Sequence, residues 1–92
     1  MPRLLAESIG AFTLVFVGVA SIIITGNLIA IALAHGLAIA LMASAFGHVS
    51  GGHFNPAVTI GFWVTQRIES IPAVAYILAQ LLGGIVGAIA IN

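Results

Sequence analysis

Asn55-Pro56 opens a helical segment that stops at the polar break around Arg67. Asn is a preferred N-cap, and Pro suits the first helical position, where its missing N–H would be unpaired anyway. Pro56 to Gln66 is eleven residues, a helix of roughly 16 Å, against a bilayer hydrocarbon core of about 30 Å. The surrounding chain is 62% hydrophobic and 4% charged, well beyond the roughly 45–50% apolar share of a soluble domain. In a bilayer, irregular backbone survives only when buried in protein or lining a wet cavity. The segment therefore reads as a re-entrant half-helix within residues 47–66. Ahead of it, the polar stretch Gly47-His48-Val49-Ser50-Gly51-Gly52-His53-Phe54 reads as an open loop dipping into the membrane. A helix N-terminus held at depth implies a pore or a binding site.

The rest of the chain supplies three spans. Residues 4–25 are apolar except for Glu7 and are long enough, at about 33 Å, to cross. Glu7 shares a face with Gly10, Ala11, Leu14 and Gly18 by three-and-four spacing. A carboxylate on a membrane helix costs about 2.5–3.5 kcal/mol at the centre and less near an end. It either reaches interfacial water or faces protein. Residues 28–46 follow the break Gly26-Asn27 and carry a row of small residues, Ala32, Gly36, Ala40 and Ser44, that suits close helix packing. Residues 72–91 start at Pro72 and contain Gly83-x-x-x-Gly87, a close-approach face. Gln80 is the strongly polar residue of that span and reads as an interhelical hydrogen-bonding group. In the half-helix, Val58, Phe62 and Trp63 read as a packed side, with Gly61 permitting close approach. Two crossings and a returning excursion put Arg3 and Arg67 on one side and Gly26-Asn27 on the other. The positive-inside rule makes that side cytoplasmic.

Ser50-Gly51-Gly52-His53-Phe54-Asn55-Pro56-Ala57-Val58-Thr59 resembles the first Asn-Pro-Ala loop of the aquaporin and glycerol-facilitator family, the major intrinsic proteins. The likeness extends from Glu7 to about Gln80. It implies an all-α membrane protein, an aquaporin-like half-repeat of three transmembrane helices plus one re-entrant half-helix. On this reading residues 1–92 are the first repeat, with the second repeat outside the chain. The resemblance favours Glu7 as a brace that accepts hydrogen bonds from the loop backbone. His35 lies twenty residues before Asn55, and in the family that offset holds a member of the narrow outer filter. The alternative for His35 is a histidine hydrogen-bonded across helices.

The family pattern also implies a mechanism. A helix N-terminus carries roughly half a positive charge, so Pro56 and Ala57 at mid-depth oppose cations. Asn55, its oxygen held by the helix, offers NH₂ to a solute. Extended backbone through Gly51, Gly52 and His53 would present carbonyls as acceptors. The implied partners are membrane lipid, a small neutral solute (water, ammonia or glycerol), a second half-repeat and a homotetramer in the plasma membrane.

Other chemistry finds little purchase. The chain has no cysteine and a formal net charge of zero, which argues against thiolate metal sites and nucleic acid. His48 and His53 lack the third and fourth ligands a metal site normally needs. They read as groups that fix the loop and the end of the second span. Ser50 has no nucleophile elbow and the glycines have no G-K-[ST] ending, so neither an enzyme nor a cofactor site is expected. The first helix reads as retained, not as a cleaved signal, because Glu7 interrupts the apolar run. Two other readings stay open: a non-conducting partner of a full-length channel, and part of a gradient-driven transporter with a broken helix.

Overall fold

The computed structural model describes residues 1–91. Four helices make up the fold: α1 (Pro2–Thr25), α2 (Leu28–Ser50), α3 (Pro56–Val64) and α4 (Ser70–Ile91). Three of them, α1, α2 and α4, are long and apolar enough to cross a membrane. Gly26 closes α1 by donating its N–H to Ile22 O at 3.1 Å, and Asn27 caps α2 by accepting from Ala30 N at 2.9 Å. A two-residue turn with both caps satisfied forces α2 to run back antiparallel to α1.

Helix α4 lies along α1 in the same direction. Its buried stripe is Ala73, Tyr76, Gln80, Gly83 and Gly87, a three-and-four alternation that keeps one seam facing a neighbour. That neighbour is α1. A Cβ on Gly83 would overlap the Ser8 carbonyl, and one on Gly87 would stand 2.8 Å from Phe12 O. Leu28, Ile29, Ile71 and Ile89 point outward and are mostly exposed. Such a surface suits lipid, where interhelical adhesion comes from contact rather than from water exclusion.

Helix α3 spans nine residues, roughly 14 Å. Its start, Asn55-Pro56, shares a cleft with Leu14 and Val15 of α1 and with Leu81 and Gly84 of α4, all close to the middle of their helices. Its far end returns to the beginning of α4, where Trp63 Nε1 donates to Ser70 Oγ at 3.0 Å. The helix is thus re-entrant: it begins halfway along the long helices and exits at the end where α1 and α4 start.

Several boundaries differ from the sequence reading. Helix α2 continues through Gly47-His48-Val49 to Ser50, so the open loop begins at Gly51 and not at residue 47. Helix α3 ends at Val64 because Gln66 turns left-handed at φ 61°, with Gln66 N and Arg67 N bonded back to Trp63 O and Phe62 O. Helix α4 starts at Ser70, two residues before Pro72, which leaves the proline in the first turn where its missing N–H is harmless. The small row Ala32, Gly36, Ala40 and Ser44 faces away from α1 and is exposed. Val58 and Gly61 are exposed too, so the covered side of α3 is carried by Thr59, Phe62 and Trp63.

Candidate functional site

Glu7 sits about a turn and a half into α1 and is fully buried, at 0% exposure. Four donors converge on its two oxygens. Oε2 accepts from Ser50 Oγ at 2.6 Å and from His53 N at 3.1 Å; Oε1 accepts from Phe54 N at 2.8 Å and from Gln80 Nε2 at 2.7 Å. A carboxylate is acceptor-only, so one side chain closes off donors from the end of α2, the loop and α4 together. Hydrogen bonds to a charged group contribute about 1.5–3 kcal/mol each, which offsets the cost of taking the carboxylate out of water.

The loop between α2 and α3 is short, and its shape is unusual. Gly51 (φ 92°), Gly52 (φ 70°) and Phe54 (φ 56°) are all left-handed. This corrects the expectation of extended backbone through Gly51, Gly52 and His53: the chain coils tightly, and glycine is what permits two successive positive φ values. Phe54 has no such freedom. It is held there by the bond from its N–H to Glu7 and by its buried ring, which fills the space above Gly10 where any Cβ would overlap it. The last carbonyl of α2 is tied down as well, since Tyr76 Oη donates to Ser50 O at 2.6 Å.

Asn55 caps α3. Its Oδ1 accepts from Ala57 N at 2.8 Å, and its backbone carbonyl takes the N–H groups of Val58 and Thr59. The amide NH₂ is thereby turned away from the helix, on a residue that is exposed. Pro56 at the first helical position lacks an N–H, so the α3 N-terminus presents the Asn55 amide as its outward donor. Ala57 beside it is exposed.

The remaining expected residues divide. His53 is half-buried, stacked on Phe62 with centroids 4.5 Å apart, tilted against Tyr76 at 5.1 Å, and bonded through Nδ1 to Thr59 Oγ1 at 2.8 Å. Gln80 is 2% exposed and also donates to Thr59 Oγ1 at 2.9 Å. His35 is far from this cluster: its ring lies over Gly18 of α1, and Nδ1 donates to Ile31 O on its own helix at 2.8 Å. His48 is exposed and makes no hydrogen bond with the described residues. It plays no part in the bracing expected of it, because it sits in the last turn of α2 on an exposed face. Thr59 and Tyr76 were missed. Thr59 stands four residues after Asn55, and Tyr76 four before Gln80. Both spacings put them on the faces that already carried a polar group.

The family model described as major intrinsic protein matches residues 1–92. A glycerol uptake facilitator protein-like 6 of Lactiplantibacillus plantarum is 50% identical over 93 residues, covering 100% of this chain and 43% of that protein. An aquaporin Z of Photorhabdus laumondii is 42% identical over 93 residues, covering 94% of the chain and 40% of the relative. Mouse aquaporin-4 is 43% identical over 91 residues, 90% of the chain and 28% of its own length. The chain therefore spans about two fifths of the length of the first two relatives. With a half-helix started by Asn-Pro-Ala, a carboxylate-held loop and a match over its whole length, this chain belongs to the major intrinsic protein family.

Proposed function

We propose that the chain forms one half of the wall of a passive transmembrane channel for water and small uncharged solutes. The observation that carries this is the mid-depth N-terminus of α3 with the Asn55 amide turned outward from it. A solute accepting from that NH₂ meets a local positive field, which opposes a cation at the same place. Selectivity by half-helix dipoles and hydrogen-bonding linings is the general physics of aquaporin-type pores. Family membership and the names of the relatives, which include aquaporins and a glycerol facilitator, support the same solute class.

The cleft at Asn55 is open on one side, and a second half-repeat of opposite topology is the partner whose own half-helix would close it. The charge placement favours an orientation with Arg3 and Arg67 cytoplasmic, and a homotetramer of completed pores in the plasma membrane is the assembly implied by family membership. His35 is the proposed filter residue. Its ring lies over Gly18, away from Glu7 along α1, and its Nδ1–H is committed to Ile31 O. Water, ammonia and glycerol all fit a site built from neutral donors and acceptors.

The test is flux through vesicles containing the pore-competent assembly. Asn55→Asp replaces the outward donor with a carboxylate and puts a negative charge at the α3 N-terminus. Solute flux is expected to fall and cation exclusion to weaken; unchanged flux and selectivity would remove Asn55 from the passage.

A further inference from the structure

We infer that Gln80 and Thr59 act as positioning residues that fix His53 in one tautomer, with the proton on Nε2, so that the loop shows a donor rather than an acceptor beside Gly51. Only the consequence for solutes rests on the channel reading above; the tautomer itself does not.

Both Glu7 oxygens already accept a backbone N–H, from Phe54 and from His53. The Gln80 atom 2.7 Å from Glu7 Oε1 is then a nitrogen donating to an acceptor-only group. An amide nitrogen accepts nothing, so at 2.9 Å it also donates to Thr59 Oγ1. Thr59 is 0% exposed, and its hydroxyl hydrogen must find an acceptor of its own. Gln80 Oε1 is not that acceptor, since it is buried and unpartnered. The remaining partner of Thr59 Oγ1 among the described residues is His53 Nδ1 at 2.8 Å. Thr59 therefore donates, Nδ1 accepts, and the neutral imidazole carries its hydrogen on Nε2.

The reverse orientation of the Gln80 amide would require a protonated Glu7. It would also leave an NH₂ with two hydrogens where the unpartnered carbonyl now stands. Orphaned buried N–H groups are rarer than under-satisfied carbonyls, so the arrangement with a stranded oxygen is preferred. The relay runs from α1 through α4 and α3 into the loop, and the imidazole is kept in plane by its stack on Phe62. Nε2 lies toward Gly51, where a Cβ would stand 3.5 Å away, and it makes no hydrogen bond within the described residues. A neutral solute approaching there would be recognised through an oxygen or nitrogen lone pair.

Nitrogen-15 spectroscopy of histidine-labelled full-length chain in lipid vesicles reads this directly, with the His53 signal assigned by its loss in His53→Asn. The native protein is expected to show a protonated Nε2 and an unprotonated Nδ1. Thr59→Val, which keeps the shape and removes the hydroxyl, should lose that single pattern, and Thr59→Ser should restore it. A native signal with the hydrogen on Nδ1 would overturn the inference, as would a Thr59→Val protein with the pattern unchanged. Absence of solute flux alongside the expected pattern would count against the channel reading and leave the tautomer standing.

Discussion

The two halves of the α1–α4 contact are held by opposite means. Around Glu7, the side chains of Glu7, Gln80 and Tyr76 belong to a polar knot in which the carboxylate receives four donors. Directly beyond it, Gly83 and Gly87 let backbone meet backbone at Ser8 and Phe12 of α1 with no side chain between. The polar half fixes direction, because each donor must reach one oxygen. The glycine half fixes distance, because any Cβ meets a carbonyl. The difference matters for the loop. The loop that leads into α3 is tied to the polar knot, so the position of Asn55 inherits its accuracy from Glu7, while the seam keeps the scaffold from opening.

Substitutions should separate these two roles, and the largest effect is expected in the knot. Glu7→Gln turns one accepting oxygen into a donor facing two donors. With each stranded group costing about 1–3 kcal/mol, the loss is on the order of 2–6 kcal/mol in a detergent unfolding titration, together with proteolytic cutting in the Gly51–Asn55 loop. Stability within about 1 kcal/mol of the native protein would show that the knot does not hold the fold.

The glycine seam gives a smaller and graded response. Gly83→Ala forces the helices apart, and overpacking of this kind typically costs about 1–3 kcal/mol. Gly84→Ala, whose Cβ would meet Val15 Cγ2 at an ordinary 3.5 Å, should be close to neutral. The smallest effect belongs to Gly36, which has nothing within 4 Å of a built Cβ. Gly36→Ala should be neutral or should gain up to about 1 kcal/mol from helix propensity. Equal losses at Gly83, Gly84 and Gly36 in thermal denaturation would mean that the seam is not specific.

The same contrast explains how much could be read in advance. Gly83-x-x-x-Gly87 announced a close contact because spacing alone puts both residues on one face, although it named no partner. The cost of a charge in an apolar helix left Glu7 either at interfacial water or facing protein, and the family resemblance favoured the inward brace. The halt of α3 followed from its length. What escaped was long-range. Gly47 to Ser50 look like loop, yet they stay helical because Tyr76 and Glu7, distant in sequence, satisfy the backbone and side chain of Ser50. The coiled backbone from Gly51 to Phe54 was misread as extended. Two glycines in a row permit either shape, and the contact between Phe54 and Gly10 that selects the tight one lies over 40 residues away in sequence. Thr59 resembled an ordinary helical residue until its two polar neighbours were brought to it by α4 and the loop.

The central claim is that α3 enters and leaves on the same side. Because the chain contains no cysteine, single substitutions Arg3→Cys, Asn27→Cys and Arg67→Cys can each be labelled with a membrane-impermeant thiol reagent in intact and opened vesicles. Positions 3 and 67 are expected to react from one compartment and position 27 from the other. Labelling of positions 3 and 67 from opposite compartments would contradict the account.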